Sequence, residues 1–122
     1  MTTKEIGTKL VELCKQGQAD QAMQTLYSPD IVSVEAASGP DIPSEMKGIQ
    51  AVMGKGKWWM DNHIIHSAEA KGPYPKGNQF IVQFMYDITN KPTQKRMVMD
   101  EMALYTVEND KIVREEFFYV TG

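Results

Sequence analysis

The feature that most constrains the fold is the C-terminal stretch from Arg96 to Tyr119, which has the pattern of a β-hairpin. Two runs rich in apolar residues flank Asn109-Asp110, a pair that suits a two-residue loop with positive φ. A tight turn at this point predicts that Glu108 lies opposite Lys111. The same register sets Leu104 opposite Glu115, Met102 opposite Phe117 and Asp100 opposite Tyr119.

Directly opposed residues share a face of a sheet, so this register predicts which hairpin side chains lie together. One face is expected to carry Val98, Asp100, Met102, Leu104, Val113, Glu115, Phe117 and Tyr119. The other face carries Met97, Met99, Glu101, Ala103, Tyr105, Ile112, Arg114, Glu116 and Phe118. Both faces mix polar and apolar groups, which predicts that both bury surface. The first face sets two carboxylates and a phenol among apolar groups, and this suits the lining of a pocket.

The first half of the chain predicts three helices. Thr2 or Thr3 can cap a helix with apolar residues at helical spacing, and Gly17 ends it. A short second helix is predicted from Ala19 to Leu26, and a third from about Ile49 to Asp61. The single cysteine, Cys14, falls on the apolar side of the first helix, where packing is favoured over redox chemistry.

Strands are predicted between and after these helices. The run IVSVEA predicts a short strand over Ile31 to Ala36, with Ile31, Ser33 and Glu35 on one face. The segment ASGPDIPSEMKG is predicted to be a loop, a further strand lies around Ile64 to Lys71, and residues 72–78 are predicted to be a turn. The run QFIVQFMYDIT is the clearest strand, with Phe80, Val82, Phe84, Tyr86 and Ile88 facing the core. Helices segregated from an antiparallel sheet indicate an α+β fold, and we expect one domain over residues 1–122.

Composition excludes several classes of function. The net charge is −3 and the 13 basic residues are scattered, so no basic patch favours nucleic acid. No apolar run approaches the roughly 20 residues that span a bilayer, and no signal-peptide pattern is present. We therefore expect a cytoplasmic protein with no membrane partner. No phosphate loop, nucleophile elbow or dinucleotide fingerprint occurs, and we expect no cofactor.

The order of these elements resembles the SnoaL-like branch of the nuclear transport factor 2-like superfamily. The resemblance rests on the helical hairpin, the break Tyr-Ser-Pro-Asp before a short strand, Lys-Gly opening the third helix, and the closing NDKIVREEFFY hairpin. It covers nearly the whole chain. It implies a cone in which a strongly bent antiparallel sheet wraps three helices around a cavity. It also implies a homodimer formed through the outer sheet face.

The superfamily that this sequence resembles includes ketosteroid isomerase, polyketide cyclases, dehydratases and members without catalysis, so the fold does not decide the function. In ketosteroid isomerase an aspartate base works beside a tyrosine and a protonated acid. The resemblance implies that Glu35 stands at the base position and Leu10 at the tyrosine position. The acid position falls on or near Met102, with Asp100 and Glu101 as the nearest carboxylates.

These considerations give a set of candidate site residues. The catalytic candidates are Glu35, Asp100 and Tyr119. The ligand-binding candidates are Trp59, His66, Val82, Phe84, Tyr86, Met102, Glu115 and Phe117.

Each candidate has a structural alternative. Glu35 could be an exposed carboxylate at a strand end, Glu115 could lie at a solvated edge, and Asp100 with Tyr119 could form a structural hydrogen bond across the hairpin. Trp59 could simply pack against the sheet. The two histidines of the HIIH segment, His63 and His66, could be metal ligands. No third histidine or cysteine accompanies them, so we expect no metal site.

Three functions remain open. The first is a cofactor-independent enzyme that binds a mostly apolar, carbonyl-bearing molecule and moves a proton beside the carbonyl, as in isomerisation, cyclisation or dehydration. The second is a non-catalytic ligand-binding or dimeric module that uses the same cavity. The third is a protein-interaction domain that acts through the outer sheet face, which is predicted to carry Met85, Met97, Met99, Tyr105 and Phe118.

Overall fold

The computed structural model describes residues 1–37 and 43–120. Three helices are present in this part of the chain: α1 (Thr3–Lys15), α2 (Ala19–Leu26) and α3 (Ile49–Asn62). The strands are β1 (Tyr27–Val34), β2 (Glu45–Lys47), β3 (His63–Lys76), β4 (Gln79–Asn90), β5 (Lys95–Glu108) and β6 (Lys111–Phe118).

The helices confirm the prediction from capping and periodicity. Thr2 caps α1, and a reciprocal bond from the Glu5 carboxylate completes a capping box. Gly17 follows α1 with a φ of 73°. Gly7 lets α1 approach the sheet, because a Cβ at this position would lie 2.7 Å from the Pro73 Cβ atom. α1 therefore packs directly on the sheet.

The six strands form one curled sheet in the order β2-β1-β6-β5-β4-β3. This sheet and the three helices make the predicted cone-shaped α+β fold. Neighbouring strands are antiparallel, except that β1 runs parallel to β6. The sheet is therefore mixed, whereas an antiparallel sheet was expected. The core between sheet and helices is apolar and includes Ile6, Leu10, Leu26, Ile31, Phe80, Val82 and Ile112.

A bulge in β6 changes the predicted register of the C-terminal hairpin. Glu108 does lie opposite Lys111, and the turn residues Asn109 and Asp110 have φ of 50° and 63°. Beyond the turn, one extra residue, Val113, separates the pair Val107–Ile112 from the pair Thr106–Arg114. The added residue shifts every later pair by one position.

The predicted pairing of this hairpin is therefore wrong after the turn. Leu104 lies opposite Glu116 instead of Glu115, and Met102 lies opposite Phe118 instead of Phe117. Because side chains alternate, a shift of one residue exchanges the two faces of β5 relative to β6. The inner face of the hairpin carries Glu101, Ala103, Tyr105, Val107, Ile112, Glu115 and Phe117.

Other strand boundaries also differ from the prediction. β1 begins at Tyr27, so the Tyr-Ser-Pro-Asp segment belongs to a strand. β3 continues through the predicted turn to Lys76, with a shift of register between Lys71 and Tyr74. As an edge strand it tolerates proline, because one row of its backbone groups needs no ladder partner. The predicted loop contains β2, and its residues 38–42 lie outside the described part. No helix in that part of the chain is long and apolar enough to cross a membrane.

Candidate functional site

A pocket of about 1480 Å³ lies between the helices and the inner face of the sheet. α1, α2 and α3 contribute side chains to it, as do β1 and the strands β3 to β6. Much of its wall is aromatic, formed by Tyr27, Trp58, Trp59, Phe84, Tyr86, Tyr105, Phe117 and Tyr119. Trp59 packs against Tyr86, with their ring centroids 5.5 Å apart, and Phe84 stacks on Tyr86 at 6.0 Å.

Four charged side chains meet in this aromatic pocket: Glu35, Lys55, Glu101 and Glu115. They come from four separate elements. Glu35 follows β1, Lys55 lies on α3, Glu101 on β5 and Glu115 on β6. Charged groups enclosed by apolar walls interact more strongly than they would in water. This cluster is therefore the chemically distinctive part of the pocket.

Glu115 is held by hydrogen bonds and is 3% exposed. The Tyr27 hydroxyl donates to its Oε1 atom, and the Ser33 hydroxyl donates to its Oε2 atom at 2.6 Å. Ser33 Oγ in turn accepts a hydrogen bond from Lys55 Nζ at 2.5 Å. Both carboxylate oxygens thus have donors within the protein, which makes Glu115 the anchor of the cluster.

Glu35 has an oxygen without a protein partner. Its Oε1 atom lies 3.8 Å from Lys55 Nζ, whereas its buried Oε2 atom forms no hydrogen bond with any described residue. Burial raises the pKa of Glu35, the positive charge of Lys55 opposes the rise, and the negative charge of Glu115 adds to it. A partly buried carboxylate with a raised pKa and an unused oxygen suits a general base.

Glu101 has the second raised carboxyl pKa of the pocket. Burial raises the pKa of Glu101 from 4.5 to about 7, the charge of Glu35 adds to the rise, and Lys55 opposes it. Near neutral pH, Glu101 is therefore protonated in a large share of molecules while Glu35 can be ionised. Two carboxyl groups in different protonation states can give and take protons in one reaction.

Most of the predicted site residues line this pocket. They are Glu35, Trp59, Phe84, Tyr86, Glu115, Phe117 and Tyr119. Tyr119 lies near Glu35 and not opposite Asp100: burial raises the pKa of its hydroxyl, and the Glu35 charge is the next cause. Val82 is fully buried in the core beneath the pocket. His66 bonds to the Thr89 hydroxyl at 2.7 Å on the exposed part of β3.

Asp100 and Met102 lie on the outer face of the sheet, contrary to the predicted face. Asp100 accepts a hydrogen bond from the Gln83 side chain at 3.1 Å, and Met102 is 43% exposed. Both line a shallow outer depression together with Phe118 and Val120. The bulge at Val113 explains the error, because it places Glu101, and not Asp100 or Met102, on the same face of the sheet as Glu115.

The pocket residues missed as candidates include Glu101, Tyr27 and Lys55. Glu101 was assigned to the opposite face by the predicted register, and Tyr27 was assigned to a chain break. Lys55 gave a signal that could have been used: it follows Val52 by three residues and precedes Trp59 by four, so it lies on the apolar side of α3. A lysine at such a position often has a buried partner.

The histidines of the HIIH segment bond to protein groups. His63 Nδ1 lies 2.8 Å from the Trp59 carbonyl oxygen, and the His63 ring stacks on Trp59. Within residues 1–37 and 43–120, no three His, Cys, Asp or Glu side chains are grouped to hold a metal ion. Burial raises the pKa of the Cys14 thiol at the pocket wall to about 11, which keeps it neutral and favours packing.

Comparisons with known proteins agree with this architecture. A family model described as SnoaL-like domain matches residues 1–119. A crystal structure of a candidate SnoaL-like polyketide cyclase from Mesorhizobium loti is 42% identical, with a TM-score of 0.93, over 98% of this chain and 100% of that chain. A comparison with curated proteins finds no match.

More distant solved structures share the fold. A nuclear transport factor 2-like protein of unknown function from Burkholderia pseudomallei is 12% identical, with a TM-score of 0.77, over 98% of this chain and 92% of that chain. A protein with a ketosteroid isomerase-like fold from Catenulispora acidiphila, in complex with trimethylamine, is 19% identical, with a TM-score of 0.71. The match covers 97% of this chain and 87% of that chain.

Proposed function

This chain belongs to the SnoaL-like family, and from that premise we propose that it binds a small, mostly apolar, carbonyl-bearing molecule in the pocket and transfers a proton beside the carbonyl. The reaction would be an isomerisation, cyclisation or dehydration without a cofactor. The observation that carries this proposal is the pair of pocket carboxyls with raised pKa, Glu35 and Glu101.

The shape and lining of the pocket support a ligand of this class. Small-molecule sites usually enclose about 300–1,000 Å³ and combine apolar walls with a few polar groups. This pocket, at about 1480 Å³, has room for a molecule of more than one ring. Its aromatic walls suit a flat apolar body, and its charged groups are gathered in one cluster where a reacting carbonyl can be oriented.

The two carboxyls take different roles in the proposed reaction. Glu35 removes a proton from the carbon next to the carbonyl, because its carboxylate accepts no hydrogen bond from any described residue. Glu101, protonated near neutral pH, donates a proton to the oxygen or carbon that gains electron density. The rate is then highest where Glu35 is ionised and Glu101 is protonated, which gives a bell-shaped pH profile. Its alkaline limb is expected near pH 7.

The variant Glu35→Gln tests the proposed base. In D2O, the wild-type protein is expected to speed deuterium incorporation beside the carbonyl of at least one member of a panel of cyclic and open-chain ketones, followed by proton NMR. Removal of a general base typically lowers a rate by about 100-fold or more. We expect this loss in Glu35→Gln because the amide cannot accept the proton.

The matched control is Glu45→Gln, at an exposed position on β2, which should exchange the ketones as fast as the wild type. Equal rates in Glu35→Gln and the wild type would contradict the assignment of the base. Tight binding of a panel ketone without any exchange would instead support the alternative, a non-catalytic binding module.

We also propose a homodimer formed through the outer sheet face. The exposed apolar side chains of this face include Tyr74, Ile81, Val98, Met102 and Phe118. Two residues predicted for this surface, Met99 and Tyr105, line the pocket instead. Met102 and Phe118 are direct cross-strand neighbours, and Phe118 is 52% exposed. An exposed aromatic beside other apolar groups is typical of an interface centre.

Phe118→Glu is expected to convert this dimer to a monomer in sedimentation velocity at micromolar concentration, because a charge would be buried at the centre of the interface. Met60→Glu is the control, since Met60 is similarly exposed (54%) but lies on α3. It should remain dimeric. A monomeric wild type at the same concentration would refute the proposed dimer.

A further inference from the structure

Among the described pocket residues, Lys55 is the one cation that contacts the carboxylate cluster. It lies between Gly54 and Gly56 on α3 and points to the sheet. Its side chain is only 11% exposed. The Nζ atom lies 5.1 Å from the centroid of the Phe117 ring, a distance at which a cation interacts with an aromatic face.

The ammonium group of Lys55 has hydrogen-bonding capacity left over. It can donate three hydrogen bonds, and among the described residues it donates one, to Ser33 Oγ. The Oε1 atom of Glu35 and the Oε2 atom of Glu115 lie 3.8 and 3.9 Å away. These distances give ionic attraction but exceed the length of a hydrogen bond.

The hydroxyl network fixes where this ammonium group stands. Tyr27 and Ser33 donate hydrogen bonds to the two oxygens of Glu115. Glu115 Oε2 is 3.9 Å from Lys55 Nζ, too far to accept a hydrogen bond, so the carboxylate acts on Lys55 as a counter-ion. Ser33 Oγ accepts a hydrogen bond from Lys55 Nζ and donates a hydrogen bond to Glu115 Oε2. One N–H group of the Lys55 ammonium is thus held by Ser33, and its other N–H groups have no hydrogen-bond acceptor among the described residues.

An unsatisfied donor and an unsatisfied acceptor therefore stand side by side in the pocket. The donor is Lys55 Nζ and the acceptor is the Glu35 carboxylate, whose Oε1 atom lies 3.8 Å from Nζ and whose Oε2 atom is buried without a partner among the described residues. A carbonyl compound with a hydrogen on the neighbouring carbon matches this pair. Its oxygen can accept from the amine while its C–H bond faces the carboxylate.

Resting on the proposed proton transfer, we propose that Lys55 is a catalytic residue that binds the carbonyl oxygen of the substrate and stabilises the enolate. Glu35 takes the proton from the carbon, the C–H electron pair forms the carbon–carbon double bond, and the carbonyl π electrons move to oxygen. The Lys55 ammonium keeps its proton and hydrogen-bonds to the resulting oxyanion. Return of a proton to carbon completes the cycle.

This role fits the way charge develops in the reaction. Negative charge leaves Glu35 and appears on the substrate oxygen, so a fixed cation beside both atoms stabilises the second state without having to move. The buried residue Leu10 stands where the family resemblance sets a tyrosine, and it cannot donate a hydrogen bond. Lys55 provides a donor from α3 instead.

Binding of 4-nitrophenol tests Lys55 without requiring turnover. The phenolate resembles an enolate oxygen attached to a flat apolar body, and its absorbance reports its ionisation. We expect the bound probe to ionise at a pH about 1 unit lower in the wild type than in Lys55→Met, because an adjacent cation favours the anion. Lys55→Arg should keep most of this shift, since the charge is retained.

A second readout and a control accompany the probe. Deuterium exchange into the best ketone should fall about 100-fold in Lys55→Met, mainly in kcat, as for loss of an oxyanion donor. Lys57→Met makes the same substitution two residues away, at an exposed lysine paired with Asp61, and should change neither readout. If Lys55→Met does not fold, the Lys55 Cε–H NMR signals of the wild type must move on addition of 4-nitrophenolate.

The failure of this inference can be separated from failure of the proposed function. Equal probe ionisation in the wild type and Lys55→Met, or unmoved Lys55 signals, would overturn the role of Lys55 even if Glu35→Gln stops exchange. A different outcome is that the wild type exchanges no ketone, while in the Glu35→Gln background bound 4-nitrophenol still ionises at lower pH with Lys55 than with Lys55→Met. That outcome would refute proton transfer and leave Lys55 as an anion-binding group.

Discussion

Replacement of Glu115 by alanine is expected to lower the free energy of unfolding by about 3–5 kcal/mol, the range for breaking a buried charged pair by removing one partner. The substitution removes the acceptor of two buried hydroxyls, on Tyr27 and Ser33. It also removes a counter-ion 3.9 Å from Lys55. Each hydroxyl left without an acceptor costs about 1–3 kcal/mol. Urea unfolding followed by tryptophan fluorescence measures the change.

The neighbouring residue provides the control for this experiment. Glu116→Ala removes a carboxylate from an ion pair with Arg114 on the other face of β6, where both side chains are partly exposed. Such a pair contributes about 0–1 kcal/mol, so the variant should stay within that range. The double variant Lys55→Met, Glu115→Ala should lose less than the sum of the losses of Lys55→Met and Glu115→Ala, because the attraction between these two side chains is lost only once. A loss below about 1 kcal/mol in Glu115→Ala would contradict the anchoring role.

Glu101→Gln is expected to stabilise the protein at alkaline pH. The folded carboxyl has a pKa of about 7 against an ordinary value of 4.5. Between these values the folded state binds more protons than the unfolded state, so the free energy of unfolding falls as pH rises through this window. At about 1.4 kcal/mol per unit, the wild type loses about 3 kcal/mol between pH 4.5 and pH 7. The amide of glutamine does not ionise and avoids this loss.

The test is a set of urea unfolding curves at pH 4.5, 6 and 8. Wild type and Glu101→Gln should be similar at pH 4.5 and differ by about 3 kcal/mol at pH 8, with the variant more stable. A residual slope of the same sign is expected in the variant, since burial also raises the pKa of Glu35. Glu108→Gln, at the exposed end of β5, should follow the wild type. Parallel curves for Glu101→Gln and the wild type would refute a raised Glu101 pKa.

The helices of this protein could be predicted closely from local signals. A threonine cap, glycine at a helix end and apolar residues at helical spacing act within a few residues of each other. The bounds of α2 were predicted to the residue, and α3 ends one residue later than expected. The inner face of β1 was also predicted, because Ile31 and Ser33 are buried as alternation requires.

The candidate site was predictable only in part, because it depends on register between distant strands. Glu115 and Tyr119 were found by alternation along the last strand, and Glu35 was found from the family resemblance. All three line the pocket. Asp100 and Met102 were assigned to the wrong face because the predicted hairpin register assumed continuous pairing from the turn, without a bulge. Both faces of β5 mix polar and apolar residues, so hydrophobic patterning could not correct the error. The parallel pairing of β1 with β6 likewise has no local signal.

The bulge at Val113 has an evolutionary consequence. Without this residue, Glu101 and Glu115 would stand on opposite sides of the sheet, and a pocket with Glu115 would face Met102 in place of Glu101. One inserted codon is enough to bring the two acids together, and one deletion is enough to separate them. During evolution, a deletion at this position could therefore replace a pocket carboxyl, Glu101, by an apolar side chain, Met102, without substitution of any pocket residue. Length variation in this strand would then mark changes of chemistry among relatives.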